Sequence, residues 1–250
     1  MEAYTDFAAL YDKFMEGTPY DEWCDAITDK LNSIGIFDGL VCELGAGTGE
    51  MTRRLEAKGY DMIGIDSSPD MLSEAMKKKT PGSNILYLCQ DMREFELYGT
   101  VRAVVSVCDS INYILEDGDL LTVFKLVNNY LDPKGVFLFD FNTLYKYRDV
   151  IGDSTIAESR DDEAFIWENS FDEDSQINEY DITFFVRDGE SDKFSRFTET
   201  HLQRGYELST IKKLIEASGL EFIDAYDVDT GANPTDKSER IAVMARECMK

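Results

Sequence analysis

Apolar and polar positions in the first part of the chain follow two repeating patterns. Short apolar runs, each ending in glycine or a polar side chain, are separated by longer stretches whose apolar positions recur at helical spacing. The short runs predict strands at 40–44, 61–65, 85–89, 103–108 and 135–141. Helices are predicted in four of the intervals before, between and after these strands. Such alternation predicts a parallel sheet covered by helices on both faces.

Residues 1–35 precede the first predicted strand and carry two helical patterns. Apolar side chains recur at helical spacing at Phe7, Leu10, Tyr11 and Phe14, and again at Trp23, Ile27 and Leu31. Pro19 lies between the two patterns, where a proline interrupts a helix. We therefore expect two amphipathic helices that pack on the sheet.

The alternation of strand and helix stops after residue 142. Three stretches rich in β-branched and aromatic residues follow, at 164–171, 177–187 and 194–203, with polar turns between them. They predict an antiparallel meander, inserted between the fifth strand and the last helix.

A helix and two strands are predicted at the end of the chain. The helix starts with Ser209 as its N-cap and ends at Gly219, two residue types that favour these positions. Apolar runs at 221–227 and 240–246 predict the last two strands.

A glycine-rich turn follows the first predicted strand, in Glu43-Leu44-Gly45-Ala46-Gly47-Thr48-Gly49. Glycine permits a sharp turn and lets a ligand approach main-chain groups closely. Asp66 ends the second strand, 21 residues after Gly45, where an acid accepts hydrogen bonds from ribose hydroxyls in a βαβ unit. Asp66 is alternatively a helix cap, a role open to Ser67 or Ser68 instead. Nucleoside binding is the favoured interpretation.

Two further stretches complete this pattern, Gln90-Asp91-Met92 and Val107-Cys108-Asp109-Ser110. Together with the G-x-G-x-G turn they resemble the class I S-adenosylmethionine-dependent methyltransferases. The resemblance implies an α/β fold with a Rossmann-like, seven-stranded, mostly parallel sheet, helices on both faces and an inserted antiparallel β-sheet lid. It also implies S-adenosyl-L-methionine as cofactor and S-adenosyl-L-homocysteine as product.

The resemblance assigns roles to single residues. Tyr11 and Tyr20 match aromatic positions near the methionine part of the cofactor, where a phenol bonds the carboxylate and aromatic faces attract the sulfonium. It implies that the glycine turn contacts the methionine portion, Asp66 the ribose, and Asp91 with Met92 the adenine. The implied cofactor-binding residues are Tyr11, Tyr20, Glu43, Gly45, Ala46, Gly47, Asp66, Ser67, Met71, Asp91, Met92, Cys108 and Asp109.

The inserted sheet resembles that of small-molecule methyltransferases, including nucleotide-linked amino-sugar N-methyltransferases and glycine N-methyltransferase-like proteins. In those enzymes it covers the acceptor. His201, the only histidine in the chain, lies in this region amid Glu199, Arg204 and Tyr206. His201 and Tyr11 are the candidate catalytic residues, and His201 would take the acceptor's proton near neutral pH. The alternative for His201 is a hydrogen-bonded structural role.

The implied domain organisation has two parts. Residues 1–142 and 207–250 form the cofactor-binding domain, in which residues 1–35 are a helical lid, and residues 143–206 form the subdomain that covers the acceptor. Asp109 and Asn112 are each either pocket residues or caps of the following helix.

Composition and charge limit the classes of partner that the protein is expected to bind. A formal net charge of −25 argues against nucleic acid and anionic membranes, because both bind cationic surfaces. The five cysteines are scattered without C-x-x-C spacing, which favours a reducing compartment and no structural metal. No signal peptide or membrane span is evident, so we expect a soluble, cytoplasmic protein. Its expected state of association is a monomer or a homodimer.

The predicted function is methyl transfer from S-adenosylmethionine to a small-molecule acceptor, at nitrogen or oxygen, by in-line displacement. Two alternatives stay open: a non-catalytic module that binds S-adenosylmethionine or S-adenosylhomocysteine, and an RNA methyltransferase. A nicotinamide dehydrogenase is disfavoured, because the dinucleotide fingerprint has the spacing G-x-G-x-x-G.

Overall fold

The computed structural model describes residues 8, 11, 12, 15, 17–189 and 191–250. Its helices are α1 (Tyr20–Ser33), α2 (Glu50–Ala57), α3 (Pro69–Lys77), α4 (Asp117–Tyr130) and α5 (Leu208–Ala217), with a 3-10 helix at Ser110–Tyr113 and a π-helix at Lys146–Ile151. Its strands are β1 (Gly39–Leu44), β2 (Tyr60–Asp66), β3 (Leu86–Cys89), β4 (Val101–Ser106), β5 (Leu131–Asn142), β6 (Thr155–Ser159), β7 (Glu163–Asp172), β8 (Ile177–Arg187), β9 (Phe194–Arg204), β10 (Leu220–Asp227) and β11 (Arg240–Glu247).

Seven strands form one sheet in the order β10-β11-β5-β4-β1-β2-β3. Strands β1 to β5 pair in parallel, whereas β11 is antiparallel to both β5 and β10. The chain runs outward from β1 in one direction and then returns to β4 on the other side of β1. Ligands of open α/β sheets bind beyond the carboxyl ends of the strands at such a reversal.

Helices cover both faces of this sheet. Consecutive residues of β4 point to opposite sides, so that Val104 belongs to one apolar core and Ala103 and Val105 to the other. On the first side, α4 packs Phe124 against stacked Phe137 and Phe139 of β5. On the second side, residues of α1 and α2 fill the core. Burial on both faces is why these strands read as continuous apolar runs.

A separate four-stranded antiparallel sheet has the order β6-β7-β8-β9. The predicted seven-stranded, mostly parallel sheet and the added antiparallel sheet are therefore confirmed. Strand β6 and the π-helix were not predicted. All residues of β6 are exposed, so this edge strand carries no alternation of buried and polar positions that a sequence pattern could reveal.

Several element ends differ from the predicted bounds, and two of the differences involve residues that were given a role. The fourth strand ends at Ser106 and not at residue 108, because Cys108 and Asp109 have φ of 59° and 53° and turn the backbone away. The last helix begins at Leu208 after Glu207, and Ser209 is not its N-cap. The Ser209 hydroxyl instead donates to the Glu207 carboxylate at 3.2 Å. Gly219, with φ of 85°, follows the end of the helix as expected.

The first predicted N-terminal helix falls mainly outside the described residues, as do Phe7, Leu10 and Phe14. Ala8, Tyr11 and Asp12 have helical backbone. The second predicted helix is α1, with Ile27 and Leu31 buried against the sheet. No helix in the described part of the chain is both long and apolar enough to cross a bilayer.

Candidate active site

A cavity of about 670 Å³ lies at the carboxyl ends of β1, β2 and β4, between them and the antiparallel sheet. Small-molecule sites in proteins are typically ~300–1,000 Å³. All of the predicted site residues line it: Tyr11, Tyr20, Glu43, Gly45, Ala46, Gly47, Asp66, Ser67, Met71, Asp91, Met92, Cys108, Asp109 and His201. The strand ends and the antiparallel sheet thus bring residues from distant parts of the chain to one space.

The glycine turn between β1 and α2 forms one wall of the cavity. Gly45, Gly47 and Gly49 have φ of 76°, 53° and 78°, values that residues with a Cβ rarely adopt. A Cβ on Gly45 would lie 2.4 Å from the Ser110 hydroxyl oxygen, whereas a Cβ on Gly47 would meet no atom within 4 Å. Gly45 therefore permits close packing, and Gly47 leaves open space beside its Cα on the cavity lining.

Asp66 ends β2 beside this turn and is engaged by main-chain donors. The backbone N–H of Gly47 donates to Oδ2 at 2.8 Å, and that of Ser68 donates to Oδ1 at 2.8 Å. Burial raises the pKa of Asp66, and these hydrogen bonds oppose the rise. Each carboxylate oxygen keeps a second lone pair that a ribose hydroxyl can use.

The N-cap of α3 is Ser68, not Asp66. The Ser68 hydroxyl accepts the backbone N–H of Met71 at 3.3 Å, and Pro69 opens the helix. The alternative interpretation of Asp66 as a helix cap is therefore wrong.

Glu43 lies at the base of the cavity and is 2% exposed. The Thr52 hydroxyl of α2 donates to its carboxyl group. Burial raises the pKa of Glu43 to about 8, and the nearby Asp66 adds to the rise. Glu43 is therefore largely protonated at neutral pH.

Asp91 and Met92 follow β3 on the side of the cavity next to Met71. The guanidinium of Arg93 holds the Asp91 carboxylate from two sides, with Nε 3.0 Å from Oδ1 and Nη2 2.5 Å from Oδ2. These charged hydrogen bonds hold the pKa of Asp91 below its usual range. The Asp91 carboxylate is therefore fixed in place and ionised.

The backbone at Cys108 and Asp109 has two consecutive residues of positive φ and is held from outside the cavity. The Asp140 carboxylate accepts both of their backbone N–H groups, at 3.3 and 2.8 Å. On its other side, Arg240 donates to Asp140 at 2.5 Å, and Trp23 of α1 lies 4.2 Å from the Arg240 guanidinium. Cys108 and Asp109 were predicted as site residues, whereas the supporting contacts of Asp140 and Arg240 were not predicted.

The side chains of Asp109 and Asn112 differ in role. Asp109 lines the cavity and accepts a hydrogen bond from the Gln203 amide of β9 at 2.6 Å. Asn112 is fully buried, donates to the carbonyls of Asn142 and Arg204 at 2.9 and 2.7 Å, and accepts the Asn142 N–H at 2.8 Å. Asn112 thus joins β5 to β9, and neither role foreseen for it is correct.

His201 lies on the face of the antiparallel sheet that borders the cavity. Its Nδ1 is 3.1 Å from the Tyr113 hydroxyl, which is also 3.1 Å from the Tyr180 hydroxyl. The Tyr180 ring stacks on the imidazole at 5.0 Å, and Glu199 Oε2 is 3.9 Å from Nε2. Burial lowers the pKa of His201, so the ring is mainly neutral at pH 7 and can accept a proton.

Two predicted neighbours of His201 lie away from the cavity. Arg204 donates to the Leu115 carbonyl at 3.0 Å and to Asp117 at 2.9 Å. The Tyr206 hydroxyl donates to the Ile114 carbonyl. Both side chains therefore attach the antiparallel sheet to the segment after β4.

Several lining residues were not predicted, although the two-residue period of β7, β8 and β9 marks them. They are Phe165, Trp167, Tyr180, Ile182, Phe184 and Glu199. Alternation alone does not indicate which of the two faces borders a cavity. Within the described residues, no cluster of three His, Cys, Asp or Glu side chains has metal-binding geometry.

The lining fits S-adenosylmethionine. The open space beside Gly47, the remaining lone pairs of Asp66 and the apolar surfaces of Met71 and Met92 suit a nucleoside with an attached side chain. Aromatic faces and carboxyl groups around the rest of the cavity suit a sulfonium cation.

Comparisons with known proteins agree with this geometry. Residues 41–135 match the family described as a methyltransferase domain. The methyltransferase-family protein YqeM of Bacillus subtilis (strain 168) is 36% identical over 245 residues, which cover 98% of this chain and 97% of that protein. The crystal structure of an S-adenosylmethionine-dependent methyltransferase from Clostridium acetobutylicum ATCC 824 superposes with a TM-score of 0.89 at 32% identity, covering 98% of this chain and 99% of that one. The chain belongs to the class I S-adenosylmethionine-dependent methyltransferases.

A further relative of this methyltransferase has a named acceptor. The dTDP-3-amino-3,4,6-trideoxy-alpha-D-glucopyranose N,N-dimethyltransferase of Streptomyces venezuelae is 28% identical over 137 residues, which cover 54% of this chain and 56% of that enzyme. The match covers only part of each chain, so the acceptor of that enzyme does not transfer directly to this methyltransferase.

Proposed function

We propose that this methyltransferase methylates a small molecule held between the cofactor and the antiparallel sheet. The observation that carries the proposal is one shared cavity, which has the glycine turn and Asp66 on one side and an aromatic sheet face with His201 on the other. The cavity has room for the cofactor and a compact acceptor.

One half of the cavity would hold the cofactor, and the residues that line this half support a role for each part of it. The glycine turn with Glu43 and Ala46 would hold the methionine portion, and Asp66 with Ser67 the ribose. Asp91, Met71 and Met92 would enclose the adenine, and the Cys108–Asp109 corner would border the sulfonium. S-adenosylmethionine supplies a methyl group on a positively charged sulfur, which a nucleophile displaces in line. The chain itself orients the acceptor and excludes water.

The N-terminal segment, residues 1–35, would cover the half of the cavity that holds the cofactor. Tyr11 and Tyr20 line the cavity, and burial raises the pKa of both phenols, so that each stays protonated and can donate a hydrogen bond. Asp12 accepts a hydrogen bond from the Thr48 hydroxyl of the glycine turn at 2.6 Å and pairs with Lys78. These contacts support residues 1–35 as a lid on the domain formed by 1–142 and 207–250.

His201 is the proposed proton acceptor. If Nδ1–H is donated to the Tyr113 oxygen, Nε2 keeps a lone pair for a proton of the acceptor. Residues 143–206 would then form the acceptor-covering subdomain, and the acceptor atom is nitrogen or oxygen. Transfer to RNA is disfavoured by the net charge of −25, since RNA binding relies on cationic surface.

Calorimetric titration with S-adenosylmethionine, S-adenosylhomocysteine and NADH tests the cofactor assignment. We expect micromolar binding of the first two and none of NADH. Release of S-adenosylhomocysteine in the presence of small amines and alcohols then tests turnover. Failure to turn over any small molecule, together with methylation of RNA, would overturn the proposed acceptor class.

The variant His201→Ala tests whether His201 acts in methyl transfer and not in cofactor binding. We expect an S-adenosylhomocysteine affinity close to that of the wild type and a kcat lower by about 10²–10⁴-fold, the usual contribution of a general base. Unchanged kinetics would return His201 to the structural role that was its alternative.

A further inference from the structure

The face of the antiparallel sheet that borders the cavity is built from cross-strand rows. One row is Trp167, Ile182 and Glu199, and the next contains Tyr180 and His201, since these residues are paired in the register of β7, β8 and β9. Trp167 and Tyr180 have ring centroids 5.0 Å apart. The Trp167 indole N–H donates to Asn169 at 2.9 Å, so its ring orientation is held. The result is an ordered aromatic wall with one carboxyl group in it.

Glu199 is the unusual member of this wall. Its side chain is 14% exposed, and it lines the cavity between apolar neighbours. The nearest basic group among the described residues is His201, whose Nε2 lies 3.9 Å from Oε2, beyond hydrogen-bonding distance. Burial raises the pKa of Glu199, and no bound donor opposes this effect. A carboxyl group in such surroundings gains most from a ligand that brings a positive charge.

The remaining lining has the same electrostatic character. Six carboxyl groups line the cavity, those of Glu43, Glu50, Asp66, Asp91, Asp109 and Glu199. Of these, Glu43 is largely protonated at neutral pH, and Glu50 is paired with Arg53, Arg54 and Lys78. Arg93 is the one guanidinium in the described lining, and Asp91 engages it on two sides. A phosphate or carboxylate on the acceptor would therefore meet repulsion, whereas a cation would be attracted.

We propose that the acceptor is an organic cation, a primary or secondary amine on an apolar, ring-sized body without phosphate. The ammonium lies against Glu199 and the indole of Trp167, because aromatic rings attract cations. The apolar body packs on Phe165, Ile182 and Phe184. This inference rests on the proposed function and deepens it, because it selects nitrogen over oxygen and separates this enzyme from those that take nucleotide-linked sugars.

The same arrangement provides a base for the proton that the ammonium must lose before it is methylated. An ammonium at Glu199 lies beside Nε2 of His201, which takes one N–H proton and leaves a neutral amine with a lone pair. That lone pair forms the new C–N bond while the C–S bond breaks and its electron pair stays on sulfur. The product leaves as a methylated ammonium after the nitrogen has gained the methyl group, and the proton on His201 passes to water.

The test uses four probes on the full chain saturated with S-adenosylhomocysteine; three are of similar size and carry a phenyl ring, and the fourth is a larger nucleotide. They are 2-phenylethylamine, 2-phenylethanol, 3-phenylpropanoate and thymidine diphosphate, titrated by calorimetry and by quenching of the fluorescence of the two tryptophans, Trp23 and Trp167. We expect the amine to bind at least about tenfold more tightly than the alcohol, and the two anions to bind more weakly than the alcohol. Glu199→Gln should reduce the amine's affinity to that of the alcohol while leaving the alcohol's affinity unchanged.

Glu179→Gln is the matched control, because Glu179 is an exposed residue on the opposite face of β8. It should preserve the wild-type ranking. The proposal is overturned if an anion binds as tightly as the amine, if Glu199→Gln keeps the preference for the amine, or if no probe binds. A separate titration of S-adenosylhomocysteine into the unliganded wild-type protein distinguishes the two proposals, because the absence of binding there would refute the cofactor site itself. If S-adenosylhomocysteine does not bind, the affinities of the four probes are compared on the unliganded protein.

Discussion

The Asp66 carboxylate accepts hydrogen bonds from two backbone N–H groups of the protein itself. Its oxygens accept the N–H groups of Gly47 and Ser68, one on each side of the strand end. The carboxylate therefore shapes the glycine turn and the start of α3 at the same time as it offers lone pairs to the cavity. One side chain thus has a structural and a proposed binding role that no single substitution fully separates.

Asp66→Ala should weaken the binding of S-adenosylhomocysteine by about 1–3 kcal/mol, the cost of losing a hydrogen bond to a charged acceptor. Calorimetry gives this value directly. Asp61→Ala is the control, since Asp61 is exposed at the opposite end of the same strand. Equal affinities of wild type and Asp66→Ala would remove Asp66 from the site.

Glu43 makes folding stability depend on pH. Its pKa is about 8 in the folded chain against an ordinary value of 4.5, so the folded state binds more protons than the unfolded state between these values. The free energy of unfolding should therefore fall as pH rises from about 4.5 to 8, by at most about 1.4 kcal/mol per pH unit. Glu43→Gln keeps an acceptor for Thr52 and should flatten this slope.

Urea unfolding of both proteins at pH 5.5, 6.5 and 7.5 measures the difference. The variant should gain stability relative to the wild type as the pH rises. Parallel profiles would show that Glu43 has the same pKa in the folded and unfolded states.

At the scale of elements, β11 and β5 support the cavity from behind. Arg240 and Asp140 form an ion pair whose side chains are 12% and 7% exposed. The Asp140 carboxylate also accepts the backbone N–H groups of Cys108 and Asp109 and so holds this part of the backbone in place. The guanidinium also lies over Trp23 of α1. Four separate elements therefore meet at the corner that borders the proposed methyl-transfer position.

Arg240→Ala should lower the free energy of unfolding by about 3–5 kcal/mol, because it leaves a buried carboxylate without its counter-charge. Arg246→Ala on the same strand is the control. Arg246 pairs with Glu221, and both side chains are more than 40% exposed, so a loss of only about 0–1 kcal/mol is expected. Urea unfolding compares the two, and similar losses would contradict a special role for the buried pair.

The elements also show where sequence patterns suffice. Strands β1 to β5 were predicted because parallel strands buried on both faces read as apolar runs with glycine or acid at their ends. Strand β6 was missed because each of its residues is exposed. Ser209 was misassigned as a cap because serine suits both the cap and the first turn, and the helix begins two residues earlier than predicted, with Glu207 at the cap position.

For the molecule as a whole, charge is the dominant global property. Fifty acidic side chains oppose twenty-five Lys and Arg, which leaves a formal net charge of −25. Compact folding brings these acids together, so self-repulsion opposes folding when salt is low. The same excess makes the cavity more attractive to cations, in line with the proposed acceptor.

Raising NaCl from 10 to 200 mM should raise the Tm, because the Debye length falls from about 30 Å to below 10 Å. A chain of this size should gain about 2–4 °C for each kcal/mol of repulsion removed. Differential scanning calorimetry measures the shift, and choline chloride should match NaCl if screening is the cause. A constant or falling Tm would show that favourable ion pairs outweigh the repulsion.

The amino-acid sequence by itself determined the class of fold and the residues at the strand ends, including Glu43, Gly45, Asp66 and Asp91. Their signals are local, since strand period, glycine spacing and a terminal acid are all read within a few residues. Tertiary structure alone decided which face of the antiparallel sheet borders the cavity, and so placed Glu199 beside His201. It also decided that Arg240 supports the Cys108 corner through Asp140, 100 residues away in the chain. Such contacts depend on register and packing between distant elements, for which a local pattern carries no information.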